Sequence, residues 1–336
     1  MRNGKRLIAY YLPTFYQIPE NDKNWGEGFT EWDNVRKGRQ LYDGHRLTCF
    51  PHSDIGYYEM SLDTLRSQQT MAKDYGIDGW SIYHYWFEGY EPLTKTLDLI
   101  LENKDLDLPF CLMWANENWT RNWDGKQNEI LIKQNHTEKD FYDFIQRMIP
   151  IMRDERYIRV DGKPLIMVYV PSSKFVIAQK IWREECIKHG LPEPFLMHKT
   201  SARFDEPMTL LDGWDAVYEF PPNGHASKQV PLKDKPGTSW VVYYKDAIHV
   251  SIHRNINQRI FRCIFPSWDN SPRRGDNESL IFHGASPQLF SYWLDEITKM
   301  TNEDIVFINA WNEWGESAAM EPSTEFGYGN LEAITK

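Results

Sequence analysis

The sequence predicts an α/β fold: a single (β/α)8 TIM barrel over residues 1–336, with long loops at its C-terminal face. Three observations carry that expectation. Eight short apolar runs read as strands, helical patterns stand between most of them, and polar and aromatic residues collect after the strands rather than before them. Alternating strands and helices call for a parallel sheet, and eight units point to closure into a barrel. A doubly wound open sheet is the alternative. No G-x-G-x-x-G or Walker loop follows the first strand, which removes the usual reason for that architecture.

The first strand is expected over residues 7–12 and stops at Pro13. Residues 13–60 form a long irregular segment containing Trp25, Phe29, Trp32, Tyr42, Tyr57 and Tyr58; length and aromatic content together predict a packed, functional loop. A helix is expected over 61–73, with Ser61 as N-cap, Leu62, Leu65, Met71 and Ala72 at helical spacing, and Gly76 ending it. Strands then follow over 77–86, 110–115, 165–170, 195–198, 216–220, 261–265 and 305–310, several stopped by proline (Pro171, Pro221, Pro266). Helices are expected over 93–101, 138–152, 174–189, 243–258 and 287–300, with a weak helical piece around Met208. After Asn330 only residues 331–336 remain for an eighth helix, which predicts a stub or a truncated element.

The composition, 41% hydrophobic and 26% charged, is that of a globular protein. The aromatic content of 15%, with 14 Trp and 18 Tyr, exceeds what a core of this size needs. Aromatic planes are natural partners for the apolar C–H faces of pyranose rings, by analogy with other electron-rich ring contacts. A net charge of -10 disfavours nucleic acid and anionic membranes, both of which select a basic footprint. Cys49, Cys111, Cys186 and Cys263 form no C-x-x-C pair and read as reduced core thiols; no metal and no cofactor are expected. The N-terminus lacks an apolar signal region and no 18-residue apolar span occurs, so no transmembrane segment is expected. A cytoplasmic location is the expectation, or a secreted one if a leader was removed. Asn118-Trp-Thr120, Asn135-His-Thr137 and Asn277-Glu-Ser279 match the glycosylation pattern and read as chance matches.

Catalytic groups of a parallel barrel stand at the C-terminal ends of its strands. The first two strands end in Tyr10 and Tyr11, and in Tyr83, His84, Tyr85, Trp86 and Phe87. The third ends in Trp114, Asn116, Glu117, Asn118 and Trp119, with Arg121 and Trp123 beyond. Tyr169, His198 with Lys199, and Tyr218 with Glu219 close the next three. Ser267, Trp268, Asp269, Asn270, Arg273 and Arg274 follow the seventh. The eighth runs into Trp311, Asn312, Glu313, Trp314, Gly315 and Glu316, two acids and two indoles at the end of a buried strand. Packing explains that ending poorly, because carboxylates are rarely buried unless paired or in use. His84 reads equally as a core histidine, Arg273 and Arg274 equally as a solvated pair, and Tyr169 better as packing than as chemistry. Glycosidic cleavage needs one carboxyl protonated and another ionised, and a neighbouring Trp is one way to raise one of them. Glu313 and Glu316 would face opposite ways on a continuous strand; Gly315 permits a turn that brings both to one cavity.

Residues 308–316, Met320-Glu-Pro322 and Gly327-Tyr-Gly329 closely resemble the WbsX family, also called glycoside hydrolase family 99-like proteins. Ala9-Tyr-Tyr-Leu-Pro13, residues 26–32, Gly76-Ile-Asp-Gly79 and residues 114–119 carry the same resemblance, which extends over almost the whole chain. It implies a (β/α)8 enzyme of bacterial surface polysaccharide (O-antigen) metabolism, acting on an oligosaccharide or polysaccharide. Family 99 itself comprises retaining endo-α-mannosidases and endo-α-mannanases. By matching positions, Glu313 would deprotonate the substrate 2-hydroxyl and Glu316 would be the general acid/base. Gly315 stands where the relative has His, and Tyr10, Tyr11, Glu117 and Asp269 fall where its pocket residues lie. The candidate sugar contacts are completed by His84, Trp86, Trp114, Asn116, Trp119, Trp268, Arg273, Trp311, Asn312 and Trp314. Two other readings stand beside hydrolysis: a sugar-nucleotide glycosyltransferase and a non-catalytic glycan-binding barrel. A metal-dependent transferase would need an Asp-x-Asp after a strand; Asp105-Leu-Asp107 precedes the third strand and reads as a turn at the opposite face.

Overall fold

The computed structural model describes residues 2–121, 126–200, 206, 208–225 and 228–335. Eight parallel strands build its central sheet. They are β1 (Arg6–Tyr11), β2 (Gly79–His84), β3 (Phe110–Trp114), β4 (Lys163–Val168), β5 (Phe195–Lys199), β6 (Ala216–Tyr218), β7 (Ile260–Phe261 and Cys263–Ile264) and β8 (Ile305–Ile308). Pairing runs in sequence order from β1 to β7, and β8 pairs with β1. The first half of β7 pairs with β6, Ile260 opposite Val217; its second half pairs with β8, Cys263 opposite Phe307. The sheet therefore returns on itself through β7, and the predicted barrel is the observed one. Arg262, the residue between the halves, still accepts from the Phe307 N–H through its carbonyl at 2.8 Å.

Each strand is apolar on both faces because one face fills the barrel and the other meets the helices. The period of two separates those faces. In β1, Tyr10 points inward, stacked on Phe220 and Phe307, whereas Tyr11 points outward against Trp80. Its hydroxyl donates to Gln68 Oε1 on the helix Leu62–Asp74. That helix starts as its sequence demands, with the Ser61 hydroxyl accepting from the Thr64 N–H. Helices Glu138–Met152 and Pro287–Met300 keep their expected bounds.

Two expectations fail. Residues 208–210 are not helical; Met208 instead packs with Val217 and Ile260 outside the strands. The helix expected to reach residue 258 ends at Ile252. There the Ser251 carbonyl and hydroxyl accept from Arg262, and Arg254 turns inward toward Glu219. Periodicity also missed short pieces that need a distant partner: a hairpin (Trp119–Arg121 with Lys126–Ile132) and a parallel pair outside the barrel (Trp240–Tyr243 with Leu280–His283). Within the long segment after β1, two short helices appear, Pro19–Trp25 and Glu31–Val35. The last helix, Gly329–Thr335, is short as expected and packs on Pro287–Met300. All four cysteines are buried and free. Among the described residues no helix is long and apolar enough to cross a membrane.

Candidate active site

Beyond β8 the chain makes a small hairpin, Asn312–Glu313 against Ala318–Ala319, around the 3-10 turn Trp314–Glu316. Three anchors hold it. The Asn312 amide accepts from the Leu12 N–H at 2.8 Å and donates to the Leu12 carbonyl at 3.0 Å, tying the hairpin to the end of β1. The Asp269 N–H donates to the Glu316 carbonyl at 2.8 Å. The Ser317 hydroxyl donates to the Asp269 carbonyl at 2.9 Å.

Both acids of the hairpin turn to one guanidinium. Arg273 lies on the one-turn helix Ser271–Arg274, whose first N–H is capped by the Asp269 carboxylate at 2.9 Å. Its Nη2 donates to Glu313 at 2.6 Å, its Nη1 lies 3.0 Å from Glu316, and its Nε donates to Glu31 at 2.8 Å. Glu31 opens the helix Glu31–Val35, where the Asp33 carboxylate accepts from the Thr30 N–H, the reciprocal half of a capping box. Trp32 fixes that helix against Phe15, Tyr58 and Trp314. Gly315 matters for close approach rather than for an unusual turn. A Cβ there would stand on the Glu31 carboxylate, well inside contact distance, and 2.6 Å from Arg273 Nε.

Three carboxylates around one guanidinium leave surplus negative charge in a buried place. Burial pushes the Glu313 carboxyl up to about 8; Arg273 opposes the shift, while Glu316 and Glu31 add to it. Glu316 is raised as well, again by burial first, against Arg273 and Arg274 and with Glu31. Burial would lower Arg273, but the three glutamates hold it firmly protonated. The two hairpin acids titrate as a pair, and near neutral pH that pair keeps a proton.

In front of the pair lies a cavity of about 230 Å3, on whose wall Glu316 and Arg273 sit. Tyr83, Tyr85, Tyr169 and Phe220 form its aromatic sides, and Glu117 and Trp119 its rim. Trp119 stacks on Tyr85 with ring centroids 5.5 Å apart. Lys199 stands over the Tyr169 ring at 3.4 Å, its amine lowered to about 8 by burial despite Glu117.

Of the residues expected to touch sugar, the structure brings Glu117, Trp119, Arg273 and Glu316 to this cavity, with Glu313 behind it on the same guanidinium. Tyr10 lies one layer below, beneath Tyr83 and Phe220. The others stand elsewhere. Tyr11, His84, Trp86 and Trp114 point out of the barrel, in step with the helix-facing residues of their strands, and Trp311 points out as well although it lies past the end of β8 and in step with the inward Phe307. Trp86 donates to Asp140 at 2.6 Å, Trp114 stacks on Phe144, and Trp311 packs on Trp80. His84 is a core histidine, lowered to about 3 by burial and by Arg147. Asn116 is spent on the Val170 backbone, donating at 2.8 Å and accepting at 2.7 Å. Trp314 packs on Trp32 and donates to Glu321. Trp268 and Asp269 line a separate cavity of about 500 Å3, where Asp269 pairs with His45 at 2.9 Å. Trp123 lies outside the described residues, as does the side chain of Arg121.

Sequence reasoning places Tyr83 and Tyr85 at the C-terminal end of the second strand but not among the expected sugar contacts, and gives Glu31 and Phe220 no role. Strand parity was the available signal for the two tyrosines, since residues in step with Tyr83 share its face. Glu31 is marked only by its place in the 26–32 stretch, beside Trp32. Asp105 and Asp107 stand before β3, paired with Arg66 at 2.7 Å and Lys73 at 2.8 Å on the surface. Among the described residues no cluster of three or more His, Cys, Asp or Glu is arranged to hold a metal ion.

Barrel and acid-lined cavity define a class by architecture, the (β/α)8 barrels with a cavity at the C-terminal mouth. The chain belongs to the family described as glycosyltransferase WbsX, whose model matches residues 7–334. It is 36% identical over 346 residues to the uncharacterized protein WxcX of Xanthomonas campestris pv. campestris, in strains B100 and ATCC 33913 alike. That alignment covers 97% of this chain and 48% of WxcX, so the chain spans about half the length of the curated relatives it matches. Among solved structures, a glycoside hydrolase-like protein superposes with a TM-score of 0.65 at 13% identity, covering 98% of this chain and 93% of that one. The GH99 endo-alpha-mannosidase from Bacteroides thetaiotaomicron superposes with a TM-score of 0.55 at 13% identity, covering 98% and 95%. At that identity the likeness speaks to the fold.

Proposed function

We propose that residues 1–336 act as one catalytic barrel, an endo-acting retaining glycoside hydrolase with Glu313 and Glu316 as its working pair. The observation that carries this reading is the convergence of both acids on Arg273 at the wall of an aromatic cavity. A pair sharing one proton supplies an acid and a base together, which glycoside cleavage requires.

Glu316, the acid on the cavity wall, protonates the leaving glycosidic oxygen. Glu313 removes the proton from the substrate 2-hydroxyl, whose oxygen attacks C1 as the C1–O bond breaks and gives a 1,2-anhydro sugar. Water then opens the anhydro ring at C1. Glu316, now ionised, takes the proton from that water, and Glu313 returns its own to O2. Two displacements at C1 give net retention. The aromatic sides hold the pyranose ring while this occurs.

A screen against α- and β-linked oligosaccharides, with anomeric NMR of the products, tests the reading. The expected product keeps the anomeric configuration of its substrate, and Glu316→Gln removes turnover; activity like wild type in that variant would end the assignment. The family's description favours a second reading, glycosyl transfer from a sugar nucleotide. The cavity's charge argues against it, since its wall places Glu117 and Glu316 beside an Arg273 already engaged by three acids. Tight calorimetric binding of a UDP- or GDP-sugar would reverse that judgement. A purely binding role predicts instead that oligosaccharide binding survives Gln at both 313 and 316, with no turnover in the unsubstituted protein.

A further inference from the structure

We propose that Glu31 is a positioning residue of the acid pair, placing Arg273 between Glu313 and Glu316 and setting a third carboxyl group against the turn that carries them. The inference rests on the reading of those two glutamates as the working pair, and adds a third acid that is no part of it.

Four features point to this role. Glu31 is wholly buried, and its Oε1 accepts from Arg273 Nε, leaving Nη1 and Nη2 to face Glu316 and Glu313. The guanidinium is planar, so fixing Nε fixes the directions of the other two nitrogens. Glu31 also occupies the space above Gly315 that any Cβ would fill, which sets its carboxylate against the turn between the two acids. Last, its Oε2 has no hydrogen-bond partner among the described residues.

A purely structural reading fits these facts badly. Arg273 needs one carboxylate to balance its charge and has two without Glu31. A third buried acid adds repulsion, and an unpaired carboxylate oxygen adds a desolvation cost. What Glu31 supplies is a negative field on Glu313 and Glu316, a field that favours their protonated forms. The other ionisable groups facing the pair are Arg273 and Arg274, which oppose that field, and Tyr83, Tyr85, Tyr169 and Glu117 across the cavity.

The test needs no substrate. The protein is labelled with [13Cδ]glutamate and its carboxyl resonances are titrated by NMR, with Glu313→Gln and Glu316→Gln assigning the two signals. In Glu31→Gln the pair is expected to titrate at lower pH by about one unit, a tenfold loss of proton affinity. Glu31→Asp, which keeps the charge and shortens the reach, should leave a smaller shift. Unchanged titration in folded Glu31→Gln overturns the proposal. So does failure of that variant to fold, because removing a surplus acid should not harm the structure. With a glycan substrate in hand, the alkaline limb of the kcat/KM profile should move the same way. A shifted titration in a protein that turns over no glycan would uphold the linkage and sink the hydrolase reading instead.

Discussion

Two buried ion clusters in this barrel have opposite stoichiometry. In the wall, one carboxylate, Glu219, faces two guanidiniums: Arg262 donates to it at 2.9 Å and Arg254 lies 3.6 Å away. At the mouth, one guanidinium faces three carboxylates. Burial disfavours charge in both places, yet the outcomes differ. Burial alone would raise Glu219, but Arg262, His225 and Arg254 outweigh it and hold its carboxyl below the usual range. Burial raises Glu313 and Glu316, and a single arginine cannot reverse it. The surplus of one sign decides whether a buried carboxyl keeps its proton. The wall cluster favours an ionised carboxylate, and the mouth cluster favours a protonated one.

Four measurements would break or sharpen that contrast. The largest effect is expected for Glu316→Gln, which should lower turnover by about three powers of ten on any glycan the wild type cleaves while leaving the melt nearly unchanged. Next, Glu219→Gln should cost about 3–5 kcal/mol in denaturant unfolding, because it strands two buried guanidiniums. A mild effect there would erase the distinction between the clusters.

Glu313→Gln should act in the opposite direction on stability. Unfolded, both carboxyls are ionised above about pH 4.5, whereas burial lets the folded pair keep one proton between them, so wild-type stability falls as pH rises through the window in which that shared proton is lost. The substitution should therefore stabilise the fold by about 1–3 kcal/mol at pH 8 and by little below pH 4.5, read as Tm against pH. The Glu219 contribution has the other sign: present above the ordinary carboxylate pKa and lost as acid protonates it. The smallest effect belongs to Trp119→Ala on the cavity rim, expected to weaken oligosaccharide binding by about 1 kcal/mol without moving the pair's titration.

The fold was legible because barrel strands are buried on both faces and closed by punctuation. Apolar runs ending in Pro13, Pro171 or Pro266 mark strand ends whatever lies beside them. The same logic placed the cluster of polar and aromatic residues at one end of the barrel and picked out Glu313 and Glu316 as acids that packing could not explain. Choosing among the aromatics went less well. Trp86, Trp114 and Trp311 looked like sugar platforms, yet they fill the layer between barrel and helices, while Tyr83 and Tyr85 face the cavity. Composition cannot separate those populations, since both need large flat side chains; the pleat separates the residues on the strands, and only the folded path beyond β8 places Trp311.

What the chain alone determined, then, is where strands lie, at which end polar and aromatic residues collect and which two acids stand out. Local burial and turn preferences are written within a few residues of where they act. Tertiary structure decided who meets whom. Glu31, Arg273 and the Glu313–Glu316 turn are far apart in the chain, and they touch only because a barrel closed through a split β7 brings the loops after β1, β7 and β8 together. A guanidinium is indifferent to sequence distance, so the number of acids around it, and with it the proton they hold, became readable only in three dimensions.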